Sequence, residues 1–134
     1  MEEIDLKSDF LTFKTQITQK FGEQYFEQVD LFFQRATTQA EHGLFLSALA
    51  DGKFALELSN FSSDRSNIHY LIGFLSQLHC DLGQIANSNA YYELGLKLLD
   101  PDSPSYEDDK ELFRNLKELI DGERWKGSVE DNEE

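Results

Sequence analysis

The segment His42-Gly43-Leu44-Phe45-Leu46-Ser47-Ala48 has a counterpart 40 residues further on, Leu82-Gly83-Gln84-Ile85-Ala86-Asn87-Ser88. In both segments an apolar residue follows the Gly by two positions, and a small residue ends the segment. A second small residue, Ala55 or Gly95, follows seven positions later. Because Gly tolerates the backbone conformation that ends a helix, each segment predicts a turn between two helices. Small residues seven apart lie on one helix face, where they allow an antiparallel neighbour to approach closely.

This pattern resembles the tetratricopeptide repeat, a helical hairpin of about 34 residues. The second copy ends in Pro101, as repeats of that family do, whereas the first copy has Phe61 at this position. In the first copy Gly52 stands where a typical repeat has an aromatic residue. The two copies are 40 residues apart, longer than the family period, and the additional residues fall in the mostly polar segment 59–64. The resemblance implies stacked antiparallel helix hairpins. The alternative is an ordinary helical bundle with small residues where the helices cross.

Length and composition predict one all-α domain. The chain has 134 residues and only two prolines, and 134 residues are enough to bury a core. The expected organisation is a domain over 1–122 followed by an acidic, disordered tail over 123–134. Within the domain we expect an N-terminal helix (1–21), the first repeat (29–61), the second repeat (66–101) and a capping helix (105–121).

Apolar spacing of three and four residues predicts about six helices. Gly22 and Gly122 are expected to break the helical pattern, and Ser105 resembles the first residue of a capping box. The fourth helix is expected to begin at a cap formed by Ser63 or Asp64. The other predicted ranges are Asp5–Lys20, Glu23–Glu41, Phe45–Ser59, Ile85–Leu99 and Ser105–Ile120, and the fourth helix is expected to run to about Leu82.

The charge of the chain argues against several classes of partner. Its formal net charge is −14, whereas nucleic acids and anionic membranes are bound by basic surfaces. No apolar run approaches the roughly 20 residues of a membrane span. Cys80 is the only cysteine, so an internal disulfide is excluded and a reducing compartment is favoured. We therefore expect a cytoplasmic protein without nucleic-acid binding or membrane insertion.

The sequence contains no pattern typical of an active site. The three histidines, His42, His69 and His79, are not spaced for zinc, and no phosphate-binding loop or hydrolase motif occurs. Cys80 has no activating neighbour beyond His79, which favours a buried structural thiol. We therefore expect a protein that is not an enzyme and that uses neither a cofactor nor a metal.

The resemblance to tetratricopeptide repeats implies that a partner binds along the first helix of each hairpin. Carrying the groove positions onto this chain gives two sets of candidates. The first hairpin contributes Asp30, Phe33, Thr37 and Ala40, and the second contributes Tyr70, Gly73, Gln77 and Cys80. Phe33 and Tyr70 are the expected anchors, because each is an aromatic residue off the core stripe. The alternative is that the first or last helix covers both.

Three functions are compatible with these features. The first is a small adaptor or chaperone-like protein that binds a protein or peptide segment in a helical groove; short acidic chaperones of bacterial secretion systems look similar in size and charge. The second is a neutralising, immunity-type protein whose acidic surface covers a basic partner. The third is a structural subunit that self-associates, for example as a homodimer.

Overall fold

A computed structural model describes residues 8–61 and 68–132 of the chain, and all regular structure in these ranges is helical. The all-α fold of packed helices predicted from the sequence is therefore confirmed. Six α-helices and one short 3₁₀ helix occur in these ranges. They are α1 (Phe10–Phe21), the 3₁₀ helix (Gly22–Glu27), α2 (Val29–Glu41), α3 (Phe45–Ser59), α4 (Ile68–Asp81), α5 (Ile85–Lys97) and α6 (Tyr106–Asn132).

The chain forms two compact units, residues 1–71 and residues 72–134. Helix α4 begins in the first unit and continues into the second. The hairpin of α2 and α3 belongs to the first unit, and α5 and α6 belong to the second. The single domain expected from chain length stays a prediction.

The two turns predicted from the glycines are present and have the same geometry. Gly43 has φ +78° and Gly83 has φ +76°, both in the left-handed region that suits Gly. The residue after each Gly donates its amide N–H to the carbonyl five residues earlier, at 2.9 Å for Leu44 and 2.8 Å for Gln84. This is the hydrogen bond of a Schellman helix end. The duplicated sequence therefore gives the same backbone twice.

The core of the first unit is built around aromatic rings. Phe32 of α2 is fully buried, and its ring centroid lies 5.1 Å from that of Phe13 and 4.9 Å from that of Phe54. Because Phe13 comes from α1, this helix covers the α2–α3 hairpin and is part of the core. The buried members of this cluster are Phe13, Ile17, Phe32, Ala55, Leu58 and Leu71.

In the second unit α6 lies along α4 in the same direction. The ring of Phe113 packs against Gly73: a Cβ added to Gly73 would lie 3.4 Å from Cζ of the ring. Further along both helices, the Sγ of Cys80 lies 3.8 Å from the carbonyl oxygen of Leu119. Both contacts advance together along the two helices, so α4 and α6 are parallel. The predicted capping helix thus covers α4 in the second unit.

Several helices begin or end at residues other than those predicted. The predicted start at Asp5 lies outside the described residues. Within the described residues α1 begins at Phe10, because Asp9 caps the helix. The carboxylate of Asp9 accepts a hydrogen bond from the backbone amide of Thr12 at 2.8 Å. The single helix expected over 23–41 is two elements. Gln28, with φ −96° and ψ 31°, interrupts the helical backbone between them. Apolar spacing alone does not distinguish a 3₁₀ turn from an α-helix.

The last helix is longer than predicted. It continues through Gly122, whose added Cβ would meet nothing within 4 Å, and ends at Asn132. A Gly inside an exposed helix costs only about 1 kcal/mol relative to Ala, and the helix continues past it. The expected disorder over 123–134 stays a prediction. The predicted caps Ser63 and Asp64 lie outside the described residues.

Candidate protein-binding surface on α2

A shallow surface cavity of about 360 Å³ lies on α2 in the first unit. Three of the predicted groove residues, Asp30, Phe33 and Thr37, line it together with Gln34 and Thr38. These positions follow the spacing i, i+3, i+4, i+7, i+8, which defines one stripe of a helix. We call these five residues the α2 surface.

The opposite side of α2 is fixed in the core. Phe32, Arg35 and Ala36 are fully buried, and Gln39 is nearly so. Because their stripe is offset from the α2 surface around the helix, the core side chains hold α2 while the α2 surface faces outward. Phe33 lies at the border between the two stripes, half-buried and packed against the aromatic cluster.

The two threonines make the α2 surface less polar than its sequence suggests. Thr37 donates its hydroxyl to the carbonyl of Phe33, and Thr38 donates to the carbonyl of Gln34, both at 2.9 Å. Since each hydroxyl is engaged with its own helix, the threonine methyl groups are left to face the cavity. The described lining thus combines an aromatic residue and two threonines whose hydroxyls are engaged, with Asp30 and Gln34 as polar side chains.

Among the described residues that line this cavity, Asp30 is the charged one. It occupies the first turn of α2 and is exposed. A carboxylate at this position is favoured by the partial positive charge of the helix N-terminus. The α2 surface thus combines an apolar centre with a negative charge at its N-terminal end.

The other predicted groove residues do not join this cavity. Tyr70 is half-buried in α4, with its ring centroid 4.0 Å from that of His69, and Gln77 is exposed on the part of α4 in the second unit. Among the described residues neither lines the cavity on α2. Gly73 and Cys80, also carried over from the resemblance, are buried against α6, so the prediction that they face a groove is wrong.

A buried ion pair behind the α2 surface was not predicted. The Nη1 atom of Arg35 lies 3.1 Å from both carboxylate oxygens of Asp51 in α3, and both side chains are fully buried. Arg35 also donates to the carbonyl of Ser8 and lies 4.4 Å from the ring centroid of Phe13. It therefore ties α2 to α3 and to the start of α1.

The position of this pair was visible in the sequence only indirectly. Arg35 falls on the inward stripe of α2, next to Ala36, and Asp51 lies beside Gly52 in α3. Burial raises the pKa of Asp51 to about 6, against the lowering effects of Arg35 and of the hydrogen bond with Gln39. These groups are enclosed in the core, so we assign them to the structure of the unit and not to a reaction.

The described residues offer little else on which a site could be built. Within residues 8–61 and 68–132, no three His, Cys, Asp or Glu side chains are grouped so that they could hold a metal ion. In the same ranges, no helix has the length and apolar character needed to cross a membrane.

Comparison with known proteins gives no relative. No protein-family model matches the chain, and no curated protein and no solved structure matches it significantly. The resemblance to tetratricopeptide repeats therefore depends on the duplicated residues and on the shared turn geometry.

Proposed function

We propose that this protein is a non-enzymatic, tetratricopeptide-like binding module, a small adaptor or chaperone-like protein that receives a partner segment on the α2 surface. The observation that carries this proposal is the cavity on α2, where Phe33 and two threonine methyl groups form an apolar centre beside Asp30. Aromatic residues, Phe among them, are enriched in protein–protein interfaces relative to the rest of the surface. The cytoplasmic location inferred from the lone cysteine belongs to the same proposal.

The rigidity of the surface supports this function. The aromatic cluster and the Arg35–Asp51 pair hold α2 from behind, so the α2 surface is presented by a helix whose orientation is fixed. A preorganised surface loses less entropy on binding than a mobile one. We expect the partner segment to be a helix or an extended strand with one apolar anchor.

The test is affinity capture from the native cell extract with the tagged full chain, at low and at high salt, with mass spectrometry of what is retained. Two variants address the α2 surface: Phe33→Ala removes the anchor, and Gln34→Lys adds a charge at an exposed position without removing core packing. Leu46→Ala is the matched control, because Leu46 is an exposed apolar residue of α3 outside the cavity.

We expect one partner that persists at high salt, is weakened about tenfold or more by the first two variants and is unaffected by Leu46→Ala. Equal retention by folded Phe33→Ala and Gln34→Lys proteins would refute the α2 surface. A basic partner that is lost at high salt from every variant would favour the neutralising function. Recovery of only the chain itself would favour self-association.

A further inference from the structure

The exposed charged side chains of α2 are both acidic. Asp30 lies in the first turn of the helix and Glu41 is its last residue, and both are exposed. The basic residue of α2, Arg35, is buried on the core side of the helix and paired with Asp51. The structure describes the whole of Val29–Glu41, and no exposed basic residue occurs in this range. The α2 surface is therefore flanked by negative charge at both of its ends.

The two carboxylates lie in line with the α2 surface. Asp30 and Glu41 are eleven residues apart, which is close to three full turns, so their positions around the helix differ by only about 20°. Glu41 follows Thr37 and Thr38 by four and three residues, and it therefore continues the stripe that lines the cavity. Along the helix axis Phe33 lies about 5 Å from Asp30 and about 12 Å from Glu41.

Both carboxylates are available to a partner. Among the pairings of residues 8–61 and 68–132, neither the Asp30 nor the Glu41 side chain takes part in an ion pair or a hydrogen bond. The neighbouring His42 donates its Nδ1 to the carbonyl of Thr38 at 2.9 Å. A positive charge on a ligand therefore has no described competitor at either carboxylate.

The position of Glu41 is unfavourable for the isolated helix. The partial charge of a helix N-terminus favours a carboxylate, which accounts for Asp30, whereas the C-terminus disfavours one. The last turn of α2 contains no basic residue that would offset the charge of Glu41. Folding of the unit thus gives Glu41 no stabilising role, whereas a bound positive charge would stabilise it.

The separation of the carboxylates decides what kind of cation fits. Eleven residues of α-helix span about 16 Å, whereas the oxygen ligands of one calcium ion all lie within about 2.6 Å of it. A single small cation therefore cannot join Asp30 to Glu41. The occupant needs two positive charges about 16 Å apart, with an apolar group between them for Phe33. A polypeptide segment with two basic side chains and one apolar side chain on one face meets both conditions.

We propose that the α2 surface binds a basic amphipathic helix, with an apolar side chain on Phe33 and Lys or Arg side chains on Asp30 and Glu41. This inference rests on the proposed function and names the chemistry of the partner. A helix laid along α2 has the same rise per residue, so its basic residues lie three positions to one side of the apolar residue and eight positions to the other. Both then fall within about 80° of the apolar residue around the partner helix.

A helical partner suits this surface better than an extended one. Extended segments bind mainly through main-chain hydrogen bonds to the edge of a sheet. All regular structure in residues 8–61 and 68–132 is helical, so the described residues offer no such edge. A helix satisfies its own backbone hydrogen bonds and can therefore bind through side chains alone.

The probe is an alanine-based helical peptide of about 19 residues, long enough to form a helix in water. It carries one central leucine and lysines three and eight positions away on both sides, so that it can lie along α2 in either direction. A second peptide has glutamine in place of every lysine. Each is titrated into the isotopically labelled full chain at about 0.01 M salt, where charges are least screened, and amide shifts are followed by NMR.

Three variants and a matched control locate the binding. Asp30→Asn and Glu41→Gln each remove one charge, and Phe33→Ala removes the anchor. Glu118→Gln is the control, since it makes the same change at an exposed glutamate in the second unit. Circular dichroism of each variant checks that it is folded.

We expect saturable binding of the lysine peptide, with amide shifts concentrated in Val29–Glu41. Asp30→Asn and Glu41→Gln should each weaken binding about two- to fivefold, as expected for exposed charge pairs, and Glu118→Gln should leave the Kd unchanged. Phe33→Ala should weaken both peptides. A loss with Glu118→Gln equal to that with Glu41→Gln, or no saturation up to about 1 mM lysine peptide, would overturn the inference.

The outcome also separates this inference from the proposed function. If both peptides bind equally and only Phe33→Ala weakens them, the basic partner is refuted while the α2 surface remains a binding site. If capture from the extract is unchanged by Phe33→Ala and Gln34→Lys, the proposed function itself fails, and the inference fails with it.

Discussion

Replacing Gly95 with Ala tests the closest helix approach in the second unit. A Cβ at this position would lie 2.4 Å from Cε1 and 2.6 Å from Cζ of Phe113, and 3.4 Å from Cγ2 of Ile72. Phe113 is fully buried, so its ring cannot turn out into solvent without disturbing the packing around it. Overpacking of this kind costs about 1–3 kcal/mol, and the short distances place this site at the upper end. Ala gains about 1 kcal/mol in helix propensity, which leaves a net loss of about 2 kcal/mol.

The measurement is the free energy of unfolding from urea titrations followed by circular dichroism. Gly122→Ala is the matched control, since it makes the same substitution in α6 where the new Cβ meets nothing within 4 Å. We expect this control to stabilise the protein by about 0.5–1 kcal/mol. A second test combines Gly95→Ala with Phe113→Leu, which should cost less than the sum of the single changes. If Gly95→Ala stabilises the protein as Gly122→Ala does, the packing derived for Phe113 is wrong.

Two further predictions concern buried polar groups. Because burial raises the pKa of Asp51 to about 6 from an ordinary 3.8, the folded state binds a proton that the unfolded chain has released. The contribution of Asp51 to the free energy of unfolding should therefore be largest below pH 3.8 and fall as pH rises to about 6. Carboxyl ¹³C NMR measures the titration midpoint of Asp51 in the folded protein. A midpoint at or below 3.8 would contradict the effect of burial. In the second unit Ser76 and Ser88 each donate to the other's backbone carbonyl at 2.7 Å. Changing both to Ala should alter the free energy of unfolding by less than about 1 kcal/mol, because both hydroxyls disappear together; a urea-titration loss above about 2 kcal/mol would refute this.

The local signals in the sequence predicted the hairpins well. Gly43 and Gly83 specify their turns by a conformation that other residues adopt at a cost, and this information lies within five residues of the chain. Phe45–Ser59 begins and ends where it was predicted, because the turn at Gly43 defines its start. Such features depend on near neighbours and can therefore be inferred from sequence.

The contacts that depend on distant residues were not predicted. Arg35 is buried because Asp51, sixteen positions away, supplies its charge partner, and neither residue has a local feature that marks the pair. Gly73 is buried by a ring from α6. The repeat pattern contains no information about this distant ring, and it therefore assigned Gly73 to a groove. For the candidate site, Asp30, Phe33 and Thr37 could be grouped because they share one helix, whereas Tyr70 could not be placed from helix periodicity.

The two hairpins differ at the positions that decide what packs next to them. Ala36, Ala48 and Ala55 in the first copy correspond to Ser76, Ser88 and Gly95 in the second, and all six are small enough for helices to approach closely. In the first unit the buried cluster joins Ala55 with Leu71, which belongs to the helix that follows the hairpin. In the second unit Gly95 lies against Phe113, again from the following helix. The Gly95 position therefore lacks the methyl group that would meet the ring of Phe113, whereas Ala55 keeps its methyl group inside a buried cluster. Since cores are sensitive to volume changes of one methylene, we expect Gly95 to be needed for α6 to pack its Phe113 ring against α5.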